Sequence, residues 1–490
     1  MSESFSLIIF GITSNLAQKY IIQALYDMEE KNVLPRKMTV VGNARGKISE
    51  VQFYEYIKDA LVNKKSRHHQ HEIKEEVMES LLKKMHYIDG HLDNPEFYIR
   101  LKDFLNKIAK STKGKDDRIY YLATYPDLYQ DIFENLKKNG LTEEEEGFVR
   151  LMIEKPIGND FKSAKEINDL LAKYFKQTQI YRMDHYLGKE TLQNILTFRF
   201  GNGLFEPLIN KEHVDHIQIS ATEDFGIGAR GGFYDIVGCL KDVGQNHQMQ
   251  MLALATMDAP VEFSNEAITR ERIKIIKSLK PDPKEVVFGQ YKGYTNEKNV
   301  APDSSTDTFY AYKAEIANER LKGVPIYVRA GKNLAQTVTE ISIVFKTPHN
   351  RLYKDLKKGM EPNVLIYRIQ PNEGIVVRFL TKKPGVMELE ENFLQYCYRA
   401  QDPLNPHALP DPYERLILDA IRGDQTFFAD AQEVEASWKF VDTLIEARKK
   451  PIIYQPGSWG PKEAKELIEK DGRQWLEPSN AFCNIPLPIK

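Results

Sequence analysis

The run Ser6-Leu7-Ile8-Ile9-Phe10-Gly11-Ile12-Thr13-Ser14-Asn15-Leu16-Ala17 decides how this chain is read. A short apolar segment suited to a buried strand meets a glycine, and a helical pattern follows through Leu16, Ala24, Leu25 and Met28. At such a strand-to-helix turn, backbone N–H groups and the helix dipole can hold a pyrophosphate. Gly11, Thr13, Ser14, Asn15 and Leu16 are the candidates for that contact. Only the first glycine of a dinucleotide fingerprint is present, and Ser14 stands where glycine would allow closer approach. A plain strand–turn–helix therefore remains an alternative.

The alternation continues downstream. Residues 38–41 form a second β-like run, and Ser49 with Gln52 has the spacing of a capping box. Residues 118–123 and 148–153 read as strands, 127–138 and 161–175 as helices. Strands separated by helices predict a doubly wound parallel sheet, an α/β Rossmann-like N-terminal domain over residues 1–178. Beyond 178 the runs 213–222, 309–316, 324–329, 340–346, 365–370 and 374–380 follow one another with few helices between them. They predict a larger α+β domain over 179–490 with a mainly antiparallel sheet, in which 232–257 reads as one long helix.

Bulk properties narrow the function. A chain of 490 residues exceeds one compact core, and 42% apolar with 28% charged residues is the balance of a soluble globular protein. Lys+Arg 68 against Asp+Glu 70 leaves a net charge of -2, which gives no electrostatic case for nucleic acid or an anionic membrane. Cys239, Cys397 and Cys483 are distant in sequence and form no CxxC pair, so a reducing compartment is expected and a structural zinc is not. No basic n-region opens the chain and no apolar run approaches membrane-spanning length, so the expected location is cytoplasmic. His68-His69-Gln70-His71 reads as solvated surface rather than a metal site, and the acidic run 143–146 as a solvated loop. No metal is expected.

Chemistry concentrates in three places. Arg182-Met183-Asp184-His185-Tyr186-Leu187-Gly188-Lys189-Glu190 follows a strand-like run, and its polar groups can converge on a small anion. Val41-Gly42-Asn43-Ala44-Arg45-Gly46-Lys47 lacks the acid that an NAD site places near the end of the second strand to bind the ribose 2′-hydroxyl. Arg45 suits a 2′-phosphate and so favours NADP, with NAD the weaker alternative; a surface arginine before a helix is the competing reading. Glu154-Lys155-Pro156-Ile157-Gly158 ends a strand where Lys155 would face the ligand crevice, and its X-Pro bond is open to the cis form.

These segments together resemble the glucose-6-phosphate dehydrogenase family. The likeness rests on Glu154-Lys155-Pro156, Asp184 to Glu190, Arg230-Gly231-Gly232-Phe233-Tyr234-Asp235 and Lys241-Asp242-Val243-Gly244-Gln245-Asn246-His247. Gly331-Lys332, the run Tyr413-Glu414-Arg415-Leu416-Ile417-Leu418-Asp419 and Gly457-Ser458-Trp459-Gly460-Pro461 extend it almost to the C-terminus. The resemblance implies oxidation of D-glucose 6-phosphate to 6-phospho-D-glucono-1,5-lactone with hydride transfer to NADP, the first oxidative step of the pentose phosphate pathway. It implies that His247 is the general base and Asp184 the carboxylate paired with it. His185, Tyr186 and Lys189 match the residues gripping the phosphate, while Glu223, Asp242 and Lys332 match groups binding the sugar. Arg45, Tyr87 and Lys155 fall at cofactor-contacting positions, and Lys155 also at a substrate position. A homodimer or homotetramer is implied as well.

Three positions depart from the family pattern. Ser14-Asn15 replaces a Gly-Asp pair, Tyr20 stands where a lysine is common, and Thr337 occupies the place of a basic residue five after Lys332. Two rival readings remain: a sugar oxidoreductase acting on unphosphorylated glucose, and a non-catalytic sensor that kept the fold.

Overall fold

The computed structural model describes the whole chain apart from residues 1–3, 36, 64–71, 112–116, 145–146, 349–359, 399–408, 480–481 and 484–490. The histidine cluster at 68–71 and the end of the acidic run at 143–146 thus lie outside the described residues. The chain forms two compact units.

The first unit comprises Met1–Gly158, Lys162–Gly188 and Pro410–Ala431. Its six strands are β1 (Ser4–Phe10), β2 (Lys37–Ala44), β3 (Met85–Asp89), β4 (Arg118–Leu122), β5 (Val149–Ile153) and β6 (Ile180–Arg182). They lie in the order β3-β2-β1-β4-β5-β6, with every pair parallel. A parallel sheet covered on both faces needs strands that are apolar throughout. Leu7, Ile8, Ile9 and Phe10 meet this demand and are completely buried. Strand order reverses between β1 and β4, and the crevice at the carboxyl ends of the strands there is the general ligand site of such sheets.

The expected boundary at 178 falls one strand early, because β6 and the turn after it belong to this first unit. A C-terminal piece also joins it. The helix Pro412–Arg422 opens on Asp411 with a capping box to Glu414 and closes on Gly423 at φ +83°. Arg150 Nη1 donates to the Ala420 and Ile421 carbonyls at 2.6 and 2.8 Å, and Lys31 pairs with Glu414 at 2.7 Å.

The second unit holds Asn159–Phe161, Lys189–Leu409 and Gln432–Lys490. Its strands are β7 (Val214–Thr222), β8 (Leu279–Tyr291), β9 (Phe309–Ile316), β10 (Pro325–Gly331), β11 (Val338–Phe345), β12 (Val364–Gln370), β13 (Gly374–Lys382), β14 (Leu389–Cys397) and β15 (Ile452–Tyr454). They form one sheet in the order β14-β13-β12-β11-β7-β10-β9-β8-β15. Only β7/β10 and β8/β15 pair in parallel; the other pairs are antiparallel, as the sequence predicts.

The long helix expected over 232–257 is not continuous. An α-helix Gly231–Cys239 gives way to a π-helix Leu240–Gln248, and α-helical winding resumes over Met249–Thr256. Gly238, at φ +76°, makes the break, and a Cβ there would lie 2.6 Å from Asp307 Oδ1. Buried Asp307 fills that space, taking the Cys239 N–H on its backbone carbonyl and the Leu240 N–H on Oδ2, both at 2.9 Å.

Two of the three cysteines, distant in sequence, meet in space. Cys397 and Cys483 are joined in a disulfide with Cα atoms 5.3 Å apart, although 86 residues separate them in sequence. Sequence distance says nothing of spatial distance once a tail folds back on a sheet. Cys239 alone is free, and it is buried.

Candidate active site

In the first unit, Gly11 adopts φ +85° and a Cβ there would sit 2.6 Å from the Ala123 carbonyl oxygen. Only glycine lets the turn pass so close to the end of β4. The Gly11 and Ile12 N–H groups both donate to Asn43 O at 3.0 Å, which fastens the turn to β2. Ser14 Oγ accepts from Ala17 N–H at 3.1 Å, so the residue replacing a fingerprint glycine serves as a cap to the helix behind it. That helix begins as a π-helix at Ala17–Ile21 before becoming α-helical at Ile22–Glu30.

Arg45 stands exposed just beyond β2. Tyr87 on β3 donates its hydroxyl to the carbonyls of Ala44, at 3.2 Å, and Gly46, so it grips the backbone on both sides of that arginine. The Tyr87 ring lies 5.1 Å from that of Phe53. These features fit a dinucleotide: a glycine-permitted turn at the switch point, a helix N-terminus and a braced cation at the end of the second strand.

Lys155-Pro156 is cis. Glu154, just past β5, is half-buried and accepts a hydrogen bond from Tyr121 Oη. Burial pushes its carboxyl up to about 7; nearby Asp184 adds to the rise, while Tyr121 and Lys155 oppose it. Register explains the proximity of the two acids, because Ile153 pairs with Arg182 and each acid follows shortly after the end of its strand.

Asp184 is buried and its Oδ1 accepts the Tyr186 N–H at 2.9 Å, closing a tight turn. His185 lies with its ring 5.0 Å from Tyr186 and stacked on Tyr413 at 6.1 Å. Tyr413 also stacks on Tyr20 at 5.2 Å, so the residue replacing a family lysine becomes part of an aromatic column. Gly188 is required here, since a Cβ would lie 2.5 Å from the Pro412 carbonyl oxygen. Arg182, by contrast, turns inward: its Nε donates to Asn168 Oδ1 at 3.0 Å and it is 1% exposed. It holds the fold and is withdrawn from the set of anion-facing groups.

In the second unit, Lys189 is buried and precedes the helix Glu190–Phe200. Glu223 and Lys332 emerge together because β7 and β10 run parallel with Thr222 opposite Gly331. Their side chains form an ion pair, and Lys332 Nζ lies 5.6 Å from the ring centres of both Phe225 and Tyr234. Asp242 and His247 are both buried on the π-helix, where Arg230 Nη2 approaches both Asp242 oxygens at 3.4 Å. Such helices are uncommon and concentrate at functional sites. Thr337 turns to local use: its Oγ1 donates to Asp224 Oδ1 at 2.5 Å and accepts the Asp224 N–H at 3.0 Å.

Tyr121 and Tyr413 carry no sequence signal for their places here. The run 413–419 is a recognisable motif, but nothing local says that it packs beside residues more than 200 positions earlier. The helix break at Gly238 was foreshadowed only by the glycine itself.

A six-stranded parallel sheet with a glycine turn at its switch point, and a second unit that presents acid, lysine and buried imidazole, define a dinucleotide-dependent oxidoreductase. The glucose-6-phosphate dehydrogenase NAD binding domain matches residues 8–194 and the C-terminal domain of that family matches residues 196–476. The chain therefore belongs to the glucose-6-phosphate dehydrogenase family. It is 39% identical to a glucose-6-phosphate 1-dehydrogenase of Chlamydia muridarum over 96% of each chain. With that of Aggregatibacter actinomycetemcomitans it shares 37% over 98% of each. A solved glucose-6-phosphate dehydrogenase in complex with glucose 6-phosphate superposes with a TM-score of 0.87 at 32% identity, covering 97% of this chain and 99% of that one. A levoglucosan dehydrogenase in complex with NADH shares the fold alone, with a TM-score of 0.51 at 10% identity.

Proposed function

We propose that the protein oxidises D-glucose 6-phosphate to 6-phospho-D-glucono-1,5-lactone, with NADP as the preferred hydride acceptor. The observation that carries this reading is the likeness, over 97% of the chain, to a dehydrogenase solved with that sugar phosphate. The family signature from Asp184 to Glu190 is intact, as are Glu223, Asp242, His247 and Lys332.

Oxidising the hemiacetal moves one proton from the C1 hydroxyl and one hydride from C1. When bound, the nicotinamide accepts the hydride. His247 takes the proton, since an imidazole has a basicity near neutrality. Asp184 carries the negative charge that stabilises the resulting imidazolium, the logic also seen in hydrolytic triads. His185, Tyr186 and Lys189 grip the phosphate, and that binding energy positions C1. Glu223, Asp242 and Lys332 bind the sugar, with Lys155 reaching both substrate and cofactor. Arg45, braced by Tyr87, reads the 2′-phosphate of NADP, while Gly11, Thr13, Ser14, Asn15 and Leu16 receive the pyrophosphate.

The substrate and cofactor are intracellular phosphate esters, which supports a cytoplasmic location and a place at the head of the pentose phosphate pathway. A homodimer or homotetramer is the assembly that the family resemblance favours. Initial rates on glucose 6-phosphate and on glucose, each with NADP and NAD, test substrate, reaction and cofactor together. Robust oxidation of free glucose with none of the phosphate ester would overturn the reading.

A further inference from the structure

The described residues of the C-terminal stretch, 471–479 with 482–483, contact seven neighbouring strands of the nine-stranded sheet, in the order in which they lie side by side. It starts at Asp471, whose Oδ2 accepts from Lys313 Nζ on β9 at 2.7 Å and from Tyr327 Oη on β10 at 2.5 Å. Arg473 then pairs with Asp215 on β7 at 2.7 Å, and Gln218 on that strand holds both the Gln474 carbonyl, at 2.8 Å, and the Leu476 N–H, at 2.9 Å. The Arg329 guanidinium of β10 lies 4.4 Å from the Trp475 ring and donates to Leu476 O at 3.2 Å.

Further on, Leu476 and Phe482 pack on Val344 of β11, Val364 and Ile366 of β12 and Val376 of β13. Arg368 of β12 donates to Ser479 O at 3.3 Å while holding Glu340 of β11 at 2.8 Å. The stretch ends at β14, where Cys483 N–H donates to Gln395 Oε1 at 3.2 Å and its sulfur is bonded to Cys397.

The seat of that sulfur is shaped by the sheet. Gly374 on β13 is the register partner of Cys397, and a Cβ at 374 would lie 2.5 Å from Cys483 Sγ. Both bonded cysteines are buried, at 5% and 2% exposure. The third cysteine, Cys239, has its thiol pushed well up by burial and by the nearby Asp307 carboxylate, which leaves it inert to exchange.

We propose that Cys397 and Cys483 are a reversible redox site that controls whether the C-terminal strap is fastened to the sheet. In the reducing direction, one thiolate of a small dithiol attacks a cysteine sulfur, breaks the S–S bond and forms a mixed disulfide. The second thiol of the reagent then displaces it. Two electrons and two protons pass to the protein, giving two cysteine thiols and an oxidised, cyclic reagent. In the oxidising direction, two molecules of a monothiol leave a low-molecular-weight disulfide as the protein bond forms. The crosslink spans 86 residues, so it removes a large closed-loop freedom from the opened chain, and its loss acts on the strap rather than on the strand cores. Because the sulfurs are covered, local opening of the strap precedes attack.

The experiment uses the full-length protein, reduced with dithiothreitol and then re-oxidised with oxidised glutathione. Thiols are counted after denaturation, and hydrogen exchange is followed by mass spectrometry in peptides covering 471–483. The oxidised protein is expected to show one thiol and the reduced protein three. Strap peptides are expected to exchange at least about tenfold faster when reduced, since a 1.4 kcal/mol loss of local closure has that effect. Peptides of β1 to β6 are expected to stay unchanged, and re-oxidation to restore protection. Cys239→Ser retains the response, whereas Cys483→Ser exchanges at the reduced rate under either condition. If Cys483→Ser does not fold, the cycle on the unaltered chain decides alone. Three thiols persisting after glutathione treatment, or equal strap exchange in both states, would overturn the proposal.

Discussion

Lys332 and Glu223 are ion-paired at the carboxyl ends of two neighbouring parallel strands, β10 and β7. The lysine side chain is 7% exposed and the carboxylate 31%, so the cation is held in place by its partner. Preorganisation of this kind lowers the ordering cost of binding. Lys332→Ala is expected to lower kcat/KM for glucose 6-phosphate by about ten- to a hundredfold, the equivalent of about 1.5–3 kcal/mol for a charge-assisted contact. The effect on the thermal midpoint is expected to be small, because the half-exposed carboxylate left behind is solvated. An unchanged kcat/KM would remove Lys332 from the substrate site.

Tyr87 clamps the carbonyls on either side of Arg45, which leaves that exposed guanidinium on a fixed stem. Arg45→Ala is expected to raise the KM for NADP by about tenfold or more, on the same scale for a lost charge-assisted bond. The KM for NAD should move by less than about twofold. Tyr87→Phe should shift the NADP value in the same direction by a smaller factor. Equal shifts for both cofactors would show that Arg45 does not read the 2′-phosphate.

Glu154 supplies a prediction in pH. Its folded value of about 7 lies above the ordinary 4.5, so between these limits the unfolded chain has released a proton that the folded chain keeps. Stability from this group therefore falls as pH rises through that window. The full cost, about 3 kcal/mol as an upper bound, is present above it. Glu154→Gln keeps an oxygen for the Tyr121 hydroxyl and removes the charge. Denaturant melts should find the variant more stable than the parent at pH 8 and equal to it at pH 5. A larger advantage at pH 5 would contradict the proton-holding carboxyl.

Much of this was readable in the sequence because the information was local. The apolar runs of β1, β4 and β5, the glycine at 11 and the change from alternating helices to successive strands are patterns of adjacent residues. They gave the fold class and the placement of Lys155 at a strand end. What escaped depends on distant partners. Gly238 breaks a helix because Asp307 fills its side, and Tyr413 reaches His185 because a C-terminal helix joins the first unit. Cys397 meets Cys483 because a tail folds across a sheet. Arg182 looked like an anion ligand for the same reason: its inward partner, Asn168, lies on a helix that periodicity alone does not dock.

His247→Asn tests the proposed role of His247 as the base that removes the proton from the C1 hydroxyl of glucose 6-phosphate. Initial rates with NADP, set beside equilibrium binding of glucose 6-phosphate, separate chemistry from affinity. The expected result is a loss of kcat of about a hundred- to ten-thousandfold, the range for a positioned general base, with sugar-phosphate binding nearly unchanged. Turnover by His247→Asn equal to that of the parent enzyme would contradict it.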